Sequence, residues 1–562
     1  MLVNSERATS RLLIAFKLLL LAFFVASTNH RLGTRFSHLW SESDVLALLV
    51  VLVIWALALV GLVVASLLPK FWMRLCWAIP IALSTFWGEF FFSITGFQLS
   101  FYDAVLYWAE QAHWGDALEV YSTWLWRPAL LAGVGLLALL LPPRAELPRP
   151  HLLFFAPFAP ILVISALLLH QGGKGTTGLP DQFAPLSMVS VLGLINPLID
   201  EGTSRQPVRM EPTKQAAVDH VFLVVDESVR ADFLDLNRDR GTTPFLLSQQ
   251  DVLANFGRAV SANNCSLFSN LALRFGARPE RLSESLRSGP SIWSFAHAAG
   301  FTTVYIDTQR RGGALNNGMT LVERSEVDEF VQFEDVTETE LDLAVAARLA
   351  QIARAPGRYF VYVNKWGNHF PYARNYPEDA EWFAPDMEAG AALGEDRERL
   401  VNSYKNSVRW TVDGFFRELL AADLSTSALL YTSDHGQNLM DRGIVLGCDS
   451  NDPHVFEGLV PMLAVSGDPA LLERFREAAE WNRDRVTHFE IFPTLLELFG
   501  FDPSQVSAAY GPGLVDRLEQ RPRSFSFGPI LGVPGAEIRW KQMPTDFESL
   551  EVSRGGGSAR TR

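Results

Sequence analysis

The stretch ALLYTSDHGQNLMDRG (428–443) runs from three apolar residues and a Tyr into an Asp and a His placed side by side. An apolar run that ends in polar residues and Gly reads as a buried strand opening into a loop. Asp434 and His435 then stand at the carboxyl end of that strand. Four further runs share this grammar: HVFLVVDES (220–228), TTVYID (302–307), YFVYVNKWG (359–367) and LVPMLAVSG (459–467). Helical stretches fall between them, among them LDLAVAARLAQIAR (341–354) and SVRWTVDGFFRELLAA (407–422). Strands alternating with helices predict an α/β domain over 218–550, with a mostly parallel sheet flanked by helices. In such sheets reactive groups gather beyond the carboxyl ends of the strands.

The first 170 residues are of a different kind. Five segments, about 12–28, 45–68, 75–97, 126–142 and 151–170, are apolar enough to read as membrane spans. Seven basic residues (Arg7, Arg11, Lys17, Lys70, Arg74, Arg144, Arg149) flank one side of this array and three (Arg31, Arg35, Arg127) the other. That bias places the amino terminus inside and everything after about 171 outside the cytoplasm. A cleaved signal peptide is the rival reading of the first segment, weakened by the four spans that follow. The segment 101–126, aromatic and aliphatic with scattered charge, suits a helix lying in the outer interface, or an ordinary amphipathic loop helix. Residues 171–217 form a Gly/Pro-rich linker broken by one short apolar helix, SMVSVLGLI, and the tail 551–562 is expected to be disordered.

Ten of the 48 Lys+Arg and nine of the 62 Asp+Glu lie in residues 1–170, so the exported region carries 38 against 53, a net charge of −15. That excludes a nucleic-acid binder and argues against general attraction to anionic lipid. Of three cysteines, Cys76 lies in a span; whether Cys265 and Cys448 pair is left open.

Asp226 and Glu227 end one predicted strand, Asp434 and His435 another, and His369 follows a third. Brought together at one sheet edge, carboxylates and an imidazole make the donor set that zinc or a similar divalent ion accepts. Each alone has a plainer reading as a turn or helix cap.

VVDESVRADFLDLNRDRGTTPFL, FGRAVSANNCSLFSN, NKWGNHFPY, TSDHGQNL and THFEIFPTLLELFG, in that order, resemble the sulfatase-like, alkaline-phosphatase-related family. With the five-span half included, the chain is similar to bacterial membrane phosphoethanolamine transferases and lipoteichoic acid synthases. The resemblance implies metal ligands at Glu227, Asp434 and His435. It implies a hydroxyl nucleophile at Ser266, also a metal ligand, since Ser266 and Ser269 reproduce the three-residue spacing of a Thr and a Ser in the transferases. Read from the residue alone, Ser266 is also a good helix cap. His369, in GNHFP, corresponds to a His near the transferred phosphate; His454, Gln437 and Asn364 are further expected substrate contacts. Cys265 and Ser266 lack the Pro and Arg of the sulfatase aldehyde motif, which argues against sulfate ester hydrolysis. DHGQN replaces the usual DHGES, so Gln437 stands where a carboxylate is expected, and an ammonium headgroup loses an anionic neighbour.

The implied activity is metal-dependent transfer of a phospholipid headgroup, phosphoethanolamine first, to an envelope glycan or lipid through a covalent Ser266 intermediate. Zn²⁺ is the expected metal, with Mn²⁺ or Mg²⁺ as alternatives. The expected setting is the bacterial inner membrane, with the catalytic domain periplasmic and the protein a monomer. Phosphoglycerol transfer and ester hydrolysis are the enzymatic alternatives. A membrane-anchored binding protein with a degenerate hydrolase domain is the other.

Overall fold

The computed structural model describes residues 2–109, 114–143, 147–195, 205–388, 396–441, 447–531 and 537–545. The expected disordered tail lies outside them. The chain divides into two compact units, one built on Met1–Leu198 and the other on Ile199–Ala391 and Glu395–Ile530.

In the first unit four helices are long and apolar enough to cross a membrane: Val45–Leu67, Phe71–Thr95, Ser122–Leu140 and Pro150–His170. Leu12–Thr28 and Leu32–Ser41, bent by 65°, make a fifth when taken together. Lys17, an expensive residue inside a span, is buried and donates to the Leu139 carbonyl, which the ending Trp126–Leu140 helix leaves without an intrahelical donor. Of the expected helix over 101–126, Phe101–Ala109 and Trp114–Val120 are helical, and 110–113 lie outside the described residues. The short apolar helix expected after the spans is Ala184–Ile195.

The second unit is an α/β sandwich around a seven-stranded sheet. Its strands are β1 (His220–Asp226), β2 (Leu253–Val260), β3 (Thr302–Asp307), β4 (Glu329–Val331), β5 (Tyr359–Asn364), β6 (Ser427–Ser433) and β7 (Leu459–Ser466), in the order β2-β7-β6-β1-β5-β3-β4. β6, β1, β5, β3 and β4 run parallel, as expected, while β7 is antiparallel to both β6 and β2. Every residue of β1, β6 and β7 is buried, as strands covered on both faces must be. Val221, Leu223 and Val225 of β1 pack with Phe256, Trp293, Tyr362 and Phe492 on one of those faces.

Two strands escape a reading by apolar runs. β2 is interrupted by a register shift between Asn255 and Arg258, and β4 has three residues. A small antiparallel pair, β8 (Ser524–Phe527) and β9 (Arg539–Gln542), is also present. The helix expected from 407 begins at Arg397 and passes through a π turn at Arg409–Asp413 into Gly414–Leu419. Its first turns are too polar to register as apolar periodicity, yet Asp396 caps them by accepting from the Glu398 and Arg399 N–H groups.

Behind the sheet edge sits a fully buried ion pair. Lys365, just past β5, reaches Asp226 Oδ2 at 2.5 Å and Asp342 Oδ2 at 3.4 Å, and donates to the Thr411 carbonyl. Tyr431 Oη donates to the same Asp226 oxygen at 2.7 Å. Removing one member of a buried pair strands the other charge. Lys365→Met should therefore lower stability by about 3–5 kcal/mol, seen as a fall in Tm of the full-length protein; an unchanged Tm contradicts this account.

Candidate metal centre and active site

The register of β1 against β6 pairs Asp226 with Ser433, so the residues that follow, Glu227 and Asp434, leave the sheet beside each other. The chain must turn sharply there. Ser228 takes a left-handed conformation (φ 57°), which turns its N–H to Asp434 Oδ1 (3.0 Å) and its hydroxyl to Glu227 Oε1 (2.6 Å). The His435 N–H also donates to Asp434 Oδ1, at 2.7 Å. Asp434 Oδ2, by contrast, accepts no hydrogen bond among the described residues although it is buried.

The His435 ring is oriented by its own backbone. Nδ1 lies 2.6 Å from the Gly436 carbonyl and serves as the donor, leaving Nε2 as the acceptor facing the carboxylates. Nε2 stands 3.6 Å from Glu227 Oε1 and 3.7 Å from Asp434 Oδ2. Glu227, Asp434 and His435 are all buried and can present ligand atoms within 4.8 Å of one another. Burial, and then the neighbouring Glu227 charge, push Asp434 up to about 7. Burial pulls His435 down, but the carboxylates of Asp434 and Glu227 outweigh it and hold the ring above its ordinary value. An orphaned carboxylate oxygen, a second carboxylate and an imidazole nitrogen aimed at both fit a divalent cation.

Ser266 arrives from the other side as the first residue of the helix Ser266–Arg274. Its Oγ is 3.3 Å from Glu227 Oε2 and 3.2 Å from His435 Nε2. Both ends of this helix are fixed. At its start, Ser269 Oγ donates to the Asn263 carbonyl and accepts from the Asn263 N–H. At its end, the fully buried Arg274 pairs with Glu323 at 2.7 Å. The residue before Ser266 is also tied down, because Cys265 and Cys448 form a disulfide.

The remaining expected residues divide. His369 stacks on Trp366 at 5.0 Å. It lies two residues past Gly367 (φ 55°), where a Cβ would come within 2.0 Å of Asp226 Oδ1 and 2.7 Å of the Glu227 nitrogen. Gln437 donates to Tyr372 Oη at 2.5 Å, and its buried carbonyl oxygen accepts nothing. Asn364 is 1% exposed; its Nδ2 donates to Asp307 Oδ1 and its Oδ1 accepts from Asn317 Nδ2, contacts that brace the end of β5. His454 caps the turn Val455–Gly458, its Nδ1 accepting from the Phe456 N–H at 3.3 Å.

Motif reading gave three further residues no role, although His488 lies within THFEIFPTLLELFG. Gln309, just past β3, donates to Glu227 Oε2 at 3.0 Å. Glu457 enters because β7 is antiparallel, which brings the start of that strand to the carboxyl edge of its neighbours. It accepts from Asn264 Nδ2 at 2.9 Å, and burial raises its carboxyl to about 7. His488 accepts from the Ala262 N–H on Nδ1 and donates from Nε2 to the Ser433 carbonyl, pinning the Ser266 loop to the end of β6. Burial holds it near 4, consistent with a neutral ring making both bonds.

The family model described as Sulfatase matches residues 219–501 of this chain, the span that holds every residue of the centre. The chain belongs to the sulfatase family. Among curated relatives, the Kdo(2)-lipid A phosphoethanolamine 7''-transferases of Salmonella typhimurium and Escherichia coli are 21% and 22% identical over 340 and 342 residues. Each alignment covers 57% of this chain and 60% of the relative, so the likeness spans less than two thirds of those proteins. The C-terminal periplasmic domain of EcEptC from Escherichia coli, solved in complex with Zn, superposes with a TM-score of 0.48 at 18% identity, covering 58% of this chain and 94% of that domain.

Two outcomes are expected of this sulfatase-family centre. Asp434→Ala removes the orphaned oxygen, and metal analysis of the purified full-length protein should show bound divalent cation in the parent and at least a tenfold loss in the variant. Equal metal in both would remove Asp434 from the ligand set. Thiol titration of the denatured protein should find one reactive group, Cys76, before reduction and three after; three without reductant would rule out the Cys265–Cys448 bond.

Proposed function

We propose that this protein transfers a phospholipid-derived phospho-headgroup, phosphoethanolamine first, to a hydroxyl or phosphate of an envelope glycan or lipid, through a covalent intermediate on Ser266. Residues 218–550 form the catalytic domain and residues 1–170 the membrane domain, held in the bacterial inner membrane with the catalytic domain outside the cytoplasm. The observation that carries the reading is the placement of Ser266 Oγ, 3.3 Å from Glu227 Oε2 and 3.2 Å from His435 Nε2, at the start of a helix. The names of the curated relatives support the same chemistry.

Glu227, Asp434, His435 and Ser266 would hold the cation, zinc first given the mixed oxygen and nitrogen donors. Bound there, it makes the serine hydroxyl more acidic and offsets charge on phosphoryl oxygens. In the first half-reaction Ser266 Oγ gives its proton to Glu227 Oε2, toward which it is already directed, and attacks the phosphorus of the donor phosphodiester. The bond from phosphorus to the glycerol oxygen breaks, and diacylglycerol leaves with a proton from His369. The N–H groups that open the Ser266–Arg274 helix stabilise the phosphoryl charge. In the second half-reaction the acceptor oxygen attacks the phosphorus and passes its proton to His369, the bond from phosphorus to Ser266 Oγ breaks, and Ser266 takes its proton back from Glu227. Gln309 keeps Glu227 oriented through both steps.

Gln437 favours a second reading, transfer of phosphoglycerol, because its neutral amide offers an ammonium group no charge. Mass spectrometry of the full-length protein after exposure to phosphatidylethanolamine or phosphatidylglycerol separates the two. The expected result is a phosphoethanolamine adduct on Ser266 that is absent from Ser266→Ala. A phosphoglycerol adduct supports the second reading, and no adduct from either lipid overturns the covalent mechanism.

A further inference from the structure

The membrane unit contains a charged cluster that the transfer chemistry does not use. Glu89, inside the Phe71–Thr95 helix, is completely buried. His30 Nε2 lies 2.8 Å from its Oε1, and Arg127 Nη2 lies 3.5 Å from its Oε2. The two partners of Glu89 also touch each other, Arg127 Nη2 to His30 Nε2 at 3.2 Å. Among the described residues Glu89 Oε2 accepts no hydrogen bond, so the guanidinium is held by charge alone on that side. The His30 ring is further fixed by stacking on Phe92 at 4.1 Å.

Exposure runs in one direction through this cluster. Glu89 is sealed, while the side chains of His30 and Arg127 are 24% and 37% exposed. A buried carboxylate thus orients two groups whose free edges face outward. Arg127 has five N–H donors and spends them on no partner other than Glu89 and His30 among the described residues. Asp181 is also buried; it takes a hydrogen bond from Gln98 at 2.6 Å, and burial pushes its carboxyl up to about 8.

The place of the cluster selects the ligand. His30 follows the helix ending at Thr28, Glu89 lies six residues before the end of Phe71–Thr95, and Arg127 stands at the start of Trp126–Leu140. The basic-residue count assigns all three ends to the outer face. Six residues of helix are about 9 Å, which sets the cluster at headgroup depth. Exposed Trp87, Phe97 and Trp126 on the same helix ends are the side chains expected at that level. The anion abundant there is the phosphodiester of a lipid, and a planar guanidinium with free donors matches it.

We propose that Arg127 and His30, oriented by Glu89, bind the phosphodiester group of an outer-leaflet phospholipid. As an account of where the donor is held, this rests on the transfer reading; as a lipid site it stands without it. The test uses the full-length chain carrying Ser266→Ala, so that bound donor is not consumed, purified with phosphatidylethanolamine and examined by native mass spectrometry. The parent should retain the phospholipid, and adding Arg127→Ala should lower retention at least tenfold. Arg127→Lys should retain an intermediate amount, and diacylglycerol of the same chains should not be retained. Retention equal to the parent in Arg127→Ala, or equal retention of diacylglycerol, overturns the proposal. So does complete displacement of the lipid by millimolar inorganic phosphate, which would make this a site for free anions. If Arg127→Ala does not fold, as judged by its elution and Tm, His30→Gln replaces it with the same expected loss. A wild-type Ser266 that never gains an adduct, beside an Arg127→Ala variant that still loses lipid, sinks the transfer reading alone. The opposite pattern sinks this site alone.

Discussion

Parallel strands β1 and β6 end level with each other, and each is followed at once by a carboxylate, so Glu227 and Asp434 emerge into the same buried pocket. Two negative charges in that setting repel and lose their water, which is why Asp434 is driven to about 7. The surroundings answer only a fraction of the imbalance. One oxygen of Asp434 takes two backbone N–H groups and the other takes none, and Glu227 is supplied by Ser228, Gln309 and Ser266. These oxygens and His435 Nε2 converge within 4.8 Å of one another, the mixed donor set that a divalent cation accepts.

Much of the nearby structure serves to hold that unfavourable arrangement. The Lys365–Asp226–Asp342 group fixes the backbone that leads into Glu227, because Asp226 Oδ1 accepts the Glu227 N–H while Oδ2 takes Lys365. His488 joins the end of β6 to the loop before Ser266, and the disulfide joins that loop to Cys448. Arg274 anchors the far end of the Ser266–Arg274 helix. A hydroxyl reaches productive distance only if its support is rigid, and here its helix is held at both ends.

The membrane unit meets the same physical problem with a different answer. Glu89 is as buried as Asp434, but its compensation comes from its own chain, through His30 and Arg127. Lys17 is handled in the same spirit, by a carbonyl left over at a helix end. Charges inside an apolar array persist where a partner offsets their desolvation.

The spans, the parallel core of the sheet and the candidate ligands Glu227, Asp434 and His435 are legible in the sequence because each lies within or beside an apolar run, and burial of such runs is fixed by local pattern. Ser266 is legible only through family spacing, since a lone Ser at a helix start also reads as a cap. The antiparallel course of β7, and with it the entry of Glu457, depends on a register that no local pattern encodes. Gln309, Lys365 and His488 lie 82, 138 and 261 residues beyond Glu227, and only the packing of separate strands and loops brings their side chains to one place. Local pattern along the chain picks out the candidate carboxylates and imidazole of the centre. Which others hold them is settled by packing alone, because support acts through space and leaves no periodic mark on the chain.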